Sequence, residues 1–197
     1  QGFSATVDIL GEHTDNENTA RDITIEYMAI LSSIYEQKLN CNISIKPSHL
    51  GMDISTECIV DNMTSLIKTA KENSQFIRID MEDSSCTDDT LSIFEKAQRE
   101  FQNVGIVIQA CMRRSMADIQ KLNVLKANVR LCKGIYIESR NIAYKDYQNV
   151  RENYSTLLKE LLTAGCYVGI ATHDEWLVQN AFQSIDDLGL NPTQDEF

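Results

Sequence analysis

Phe76-Ile77-Arg78-Ile79-Asp80-Met81 decides how this chain folds, because its apolar and polar residues alternate one by one. Successive side chains of a strand point to opposite faces, so Ile77 and Ile79 share one face while Arg78 and Asp80 share the other. The same parity recurs in Ile43-Ser44-Ile45-Lys46 and in Ile106-Val107-Ile108-Gln109. A doubly wound sheet covers both strand faces with helices, and its central strands read as nearly unbroken apolar runs. One greasy face, with the other turning polar toward the carboxyl end, suits a barrel instead. There the outer strand face meets helices and the inner face becomes functional at the top.

Working outward from that stretch, short β-branched runs alternate with longer stretches of helical period. Strands are predicted at Phe3 to Leu10, Cys41 to Lys46, Phe76 to Met81, Val104 to Gln109, Val129 to Cys132 and Tyr167 to Ala171. Helices are predicted near 16–39, 55–73, 87–101, 115–127, 151–164 and 175–188, with Gly165 and Gly189 just past two helix ends as left-handed caps. Strict alternation implies parallel strands joined by right-handed crossovers. The expected fold is α/β, a (β/α)8 TIM-type barrel present as about six βα units, with residues 1–197 forming one partial barrel domain. The chain stops at Asp195-Glu196-Phe197, where a seventh strand would begin, so the barrel is expected to be truncated. The irregular stretch from Gly134 to about Asn149 follows the fifth strand, where long loops carry function.

Composition narrows the function classes. A formal charge of −11 argues against a nucleic-acid partner, which needs clustered Lys and Arg to displace counterions. Six cysteines without a C-x-x-C pair, several in apolar runs, read as buried thiols of a reducing compartment. No apolar run approaches a membrane span, and no signal-peptide pattern opens the chain.

If the barrel reading holds, the strand ends bring Glu12, Lys46, Asp80 with Glu82, Gln109, Arg130 with Lys133, and Thr172 with His173 and Asp174 to one mouth. Charged residues at such a place also form purely structural ion-pair clusters. Taken singly, His173 reads as a hydrogen-bonded loop residue and Cys132 as core filler, while His13 and His49 read as surface loop residues. Thr172 or Asp174 is placed to cap the sixth helix. Two lysines and an arginine at the mouth favour an anionic or electron-rich ligand, so no metal ligands are expected. No Gly-rich dinucleotide fingerprint or P-loop occurs. A phosphate is therefore expected at Lys133, the N–H groups around Gly134 and the N-terminus of the sixth helix.

Six segments, one per strand and in order, resemble the proline dehydrogenase family: Val7-Asp8-Ile9-Leu10-Gly11-Glu12, Ser44-Ile45-Lys46-Pro47-Ser48-His49-Leu50-Gly51, Arg78-Ile79-Asp80-Met81-Glu82-Asp83-Ser84, Gly105-Ile106-Val107-Ile108-Gln109-Ala110, Arg130-Leu131-Cys132-Lys133-Gly134-Ile135-Tyr136 and Ile170-Ala171-Thr172-His173-Asp174-Glu175. The resemblance implies a distorted barrel binding FAD noncovalently and oxidising L-proline to 1-pyrroline-5-carboxylate. Carried over by motif, Arg130 hydrogen-bonds flavin N5. Gln109, Lys133, Gly134, Thr172 and His173 hold the ring and its ribityl and phosphate groups, and Tyr136 is counted with them while packing near the substrate. Lys46 and Asp80 pair at the substrate side, with Glu12 supporting that network. A hydride passes from proline C5 to the flavin, and a membrane quinone takes the electrons. The implied setting is cytoplasm or mitochondrial matrix, with peripheral membrane contact.

Ile135 stands where the family's motif has alanine, and Cys111 where tyrosine is common, so both reshape the pocket. The family's last strand and final helix, which carry a Tyr and an Arg pair gripping the substrate carboxylate, are not among these residues. Three rivals remain: a hydroxyproline dehydrogenase, a catalytically silent barrel serving as an interaction module, and a metal-dependent barrel hydrolase or isomerase.

Overall fold

A computed structural model describes residues 4–191, which group into two compact units, residues 4–105 and 106–191. The expectations that fall on Phe3 and on Asp195 to Phe197 lie outside the described residues.

The first unit contains β1 (Ala5–Val7), α1 (Glu17–Glu36), β2 (Cys41–Ile45), a 3₁₀ turn over Pro47–Leu50, α2 (Thr56–Glu72), β3 (Ile77–Ile79) and α3 (Thr87–Glu100). β1 pairs with β2 and β2 with β3, both parallel, as strictly alternating strands and helices require. Ser44 lies in register with Arg78, flanked by the pairs Ile43 with Ile77 and Ile45 with Ile79. The parity read from the sequence is thus kept from strand to strand. The expected first strand is trimmed to three residues by competition for its backbone: the Ile9 N–H donates to the Tyr27 hydroxyl (3.1 Å) instead of to a neighbouring strand. Asn16 and Ser55 cap α1 and α2 by accepting from N–H groups of their first turns, each worth about 1 kcal/mol.

β4 (Val104–Gln109) begins at the end of the first unit and finishes in the second, which adds α4 (Ser115–Val124), β5 (Asn128–Cys132), α5 (Tyr147–Thr163), β6 (Tyr167–Ala171) and α6 (Glu175–Asp187). β4, β5 and β6 are neighbours in chain order, with Arg130 opposite Gly169 in the parallel β5–β6 pair. α5 starts four residues earlier than its apolar period predicts. Asp146 accepts from the N–H groups of Gln148 and Asn149, so a polar turn precedes the first core residue. The irregular stretch after β5 is correspondingly shorter than expected.

Each unit has its own apolar core. In the first, Tyr27, Leu31, Ile43, Ile45, Leu66, Ile77, Ile79 and Phe94 are buried. In the second, Ile106, Val129, Leu131, Tyr154, Leu157, Leu161 and Val168 are. Complete burial of such a side chain stabilises by about 1.5–3 kcal/mol. Ser44, Arg78 and Gln109 are as deeply buried as these isoleucines, so the polar strand face is an interior one. All six cysteines are free thiols, three of them buried. No helix among the described residues is long and apolar enough to cross a membrane.

Candidate functional site

In the first unit, the polar residues at and past the ends of β1, β2 and β3 fall into pairs. Asp80 prolongs the ladder by donating its N–H to the Ile45 carbonyl at 2.9 Å, and its carboxylate Oδ1 accepts from the Ser44 hydroxyl at 2.5 Å. Lys46 has its ion pair with Asp8, at 3.5 Å. The sequence expectation had Lys46 beside Asp80; each is found with a further partner, Asp8 or Ser44, that motif reading did not supply. Register was the missing signal, since Ser44 lies opposite Arg78 and so one step from Asp80 on the same face.

Glu82 is fully buried and accepts from both the N–H (2.9 Å) and the hydroxyl of Ser48. Burial pushes its carboxyl above the usual range, while the two Ser48 hydrogen bonds pull it back down. The Ser48 hydroxyl also accepts from the His13 N–H at 3.0 Å, and the Ser48 carbonyl accepts from the Thr14 N–H at 3.1 Å. Through Ser48, then, Glu82 fixes the segment carrying Glu12. Glu12 itself is exposed, and one ligand atom from each of Glu12, His13 and Glu82 falls within 4.8 Å of the others. His13 is exposed as expected and pairs with Asp53 at 2.8 Å, which raises its pKa. His49 corrects the sequence reading, because it is buried at 8% exposure. Its ring packs against Gly11, where an added Cβ would sit 2.6 Å from Cε1, so the missing side chain is what admits it.

In the second unit, β4, β5 and β6 deliver the remaining candidates. Pairing of β4 with β5 runs past the strand ends, through Ala110 N–H to Cys132 O (2.7 Å) and Cys111 N–H to Lys133 O (2.8 Å). This carries the buried Gln109 alongside Gly134. Gly134 has φ +100°, and an added Cβ would lie 3.0 Å from Gln109 Oε1 and overlap Cys111 Sγ. The cradle is therefore shaped by a residue without a side chain. Arg130 alternates with the buried Val129 and Leu131, on the opposite face of β5. Tyr136 is half-buried and His173 exposed. Thr172 accepts from the Asp174 N–H at 3.1 Å, and of the two cap candidates Asp174 is the one whose carboxylate caps α6.

Asp174 also gathers cations. Arg151 grips it through Nε (2.8 Å) and Nη2 (2.7 Å), the Tyr147 hydroxyl donates at 2.5 Å, and Lys133 Nζ stands 3.4 Å away. The Arg151 hydrogen bonds are the largest influence on its carboxyl, holding it far below the usual carboxylate range. The apolar period said nothing of Arg151 or Tyr147, since both sit in the first turns of α5 away from its core stripe. A cofactor phosphate suits this region on chemical grounds, since the partly exposed Lys133 ammonium and the Cβ-free backbone turn at Gly134 can both donate to it.

The sequence-family model described as proline dehydrogenase matches residues 1–197. Proline dehydrogenase 2 of Bacillus subtilis strain 168 is 36% identical over the whole chain, and proline dehydrogenase of Deinococcus radiodurans is 32% identical. The chain spans 65% of the length of each of these relatives. Among solved structures, proline utilization A (PutA) from Bdellovibrio bacteriovorus inactivated by N-propargylglycine aligns with TM-score 0.86 at 24% identity, over 96% of this chain and 24% of that one. PutA from Corynebacterium freiburgense aligns with TM-score 0.85 at 23% identity, over 98% of this chain and 23% of that one. Such likeness carries the fold, six βα units of the (β/α)8-barrel class, as the strand parity required. The match of the family model over every residue settles the lineage: this chain belongs to the proline dehydrogenase family.

Proposed function

We propose that the protein of which this chain is part oxidises L-proline to 1-pyrroline-5-carboxylate with FAD as its cofactor. Bound FAD would supply the electron acceptor, taking a hydride from proline C5 while the ring nitrogen gives up a proton. Gln109, Lys133, Gly134, Tyr136, Thr172 and His173 hold it, with Lys133 on the phosphates. Arg130 supplies a fixed cation that favours electron density arriving on the ring. Lys46 attracts the proline carboxylate, while Asp80, oriented by Ser44, completes the substrate side, and Glu12 supports that network. A quinone accepts the electrons at a membrane surface. The observation carrying this reading is the convergence at the ends of β4, β5 and β6: Gln109 against the side-chain-free Gly134, and Lys133 standing beside Asp174, whose N–H donates to Thr172.

The decisive measurement is an absorption spectrum of the purified full-length protein before and after anaerobic L-proline. Flavin bands that bleach with proline, and bleach far more slowly with hydroxyproline, are the expected result. A colourless protein carrying stoichiometric metal would favour the hydrolase or isomerase reading, and a flavin that neither imino acid reduces would favour a silent barrel.

A further inference from the structure

Asp174 draws five donors onto one carboxylate. Its two oxygens offer about four lone-pair sites. Four donors take them more closely than Lys133 does: Arg151 Nε and the Tyr147 hydroxyl at Oδ2, Arg151 Nη2 and the Trp176 N–H (3.2 Å) at Oδ1. Lys133 is a fifth donor. Its Nζ reaches Oδ2 only at 3.4 Å, the longest of the five contacts and stretched beyond the roughly 2.7–2.9 Å of a strong charged N–H···O⁻ bond. The lysine keeps 31% of its side chain exposed and rests 5.2 Å from the centroid of the Tyr147 ring, whose face attracts a cation.

Arg151 is held in place to do this. Its guanidinium carbon lies 4.4 Å from the Tyr147 centroid and 5.6 Å from that of Trp176, so the planar fork is fixed from its own side as well as by the carboxylate. Without Arg151, two lone-pair sites on Asp174 would open beside Lys133, which would move onto them.

We propose that the Arg151–Asp174 pair is a decoy lock: by saturating Asp174, Arg151 keeps the Lys133 ammonium available to an anionic group, the phosphate of FAD. Arg151 and Asp174 are thus positioning residues acting through Lys133, and the inference rests on the flavin reading above. An ion pair that only pins α5 to α6 would leave the same contacts, but it makes the opposite prediction for the double variant.

The test is FAD titration into flavin-stripped full-length protein, followed by quenching of flavin fluorescence, with melting of the apoprotein in parallel. Arg151→Met is expected to weaken FAD about tenfold, the effect of losing one charged hydrogen bond. Asp174→Asn retains an oxygen to cap α6 and is expected to stay within about threefold of the parent protein. Combining the two is expected to restore affinity to within about threefold, because no carboxylate remains to capture Lys133. In a Lys133→Met background, Arg151→Met should change nothing further. A double variant as weak as Arg151→Met, or weaker, overturns the lock, as does an unchanged Arg151→Met. Should Arg151→Met fail to fold, Arg151→Lys carries the test, since it keeps the charge but loses the fork and should show a smaller loss that Asp174→Asn again suppresses. Parent protein that takes up no FAD would refute the flavin reading and this inference together, whereas normal uptake without suppression refutes the lock alone.

Discussion

Replacing Gly134 by alanine should be among the most damaging single-methyl changes in the second unit, and its cost divides into two parts that experiment can separate. The first is backbone strain: at φ +100° a residue with a Cβ costs about 1–3 kcal/mol. The second is overlap, because the new carbon would collide with Cys111 Sγ and stand 3.0 Å from Gln109 Oε1 and 3.2 Å from Gln109 Cβ. Cys111 is short and only 9% exposed, so its sulfur has little room to retreat; overpacking of this kind costs about 1–3 kcal/mol. The total of about 2–6 kcal/mol is a large part of the 5–15 kcal/mol that stabilises a typical domain. Urea unfolding of the parent protein, Gly134→Ala, Cys111→Ala and the double variant resolves the parts. Deleting the sulfur should return about 1–3 kcal/mol in the Gly134→Ala background while costing stability on its own, leaving the backbone part unrelieved. Additive losses, or a Gly134→Ala protein as stable as its parent, would refute the cradle as drawn.

Two further outcomes test the first unit. The histidines should titrate in opposite directions from 6.5 in an NMR titration of their ring protons: His13 above it, because Asp53 holds the imidazolium, and His49 below it, because burial disfavours the charge. In linkage terms, the His13 pair adds stability below pH 6.5 that is lost as pH rises through its raised pKa, though its exposure keeps the contribution small; the neutral His49 adds stability above pH 6.5 that is lost as pH falls. Asp53→Asn should move His13 alone, and a reversed order would contradict the burial of His49. Glu82→Ala should cost about 1.5–3 kcal/mol in urea unfolding, since Ser48 loses a charged acceptor for two donors, with Glu82→Gln milder because one carbonyl oxygen still accepts. Loss below about 0.5 kcal/mol would mean that Ser48 does not anchor the segment before α1.

Much of this architecture was legible in the chain because period and parity are local. Ile43-Ser44-Ile45 and Ile77-Arg78-Ile79 announce their faces without knowledge of a partner, and Leu157, Leu158 and Leu161 announce α5 in the same way. What a local pattern cannot carry is who meets whom. The start of α5 depends on Asp146 turning back to two N–H groups, which a helical period read from about residue 151 does not record. Ser44 was quoted in a motif yet not given to Asp80, because that contact exists only once the register of β2 with β3 is known. His49 looked like a loop residue because its burial depends on an absent side chain at Gly11, 38 positions earlier.

Two of the buried carboxylates, Glu82 and Asp174, show how much of a site is decided by partners and not by residue type. Glu82 and Asp174 occupy equivalent places, each three residues beyond the last residue of a strand, Ile79 and Ala171. Each follows the exposed or half-buried polar residues that the proposed chemistry uses, and each gathers donors that fix the adjoining segment. Their electrostatics diverge all the same. Glu82 accepts from the N–H and hydroxyl of Ser48, and against those neutral donors burial prevails, so its carboxyl rises. Asp174 accepts from a bidentate guanidinium, which overwhelms burial and holds its carboxyl down. Under the proposed function, the first stands next to the residues assigned to the substrate. Under the same proposal, the second is occupied by Arg151 so that the neighbouring Lys133 is left to a phosphate.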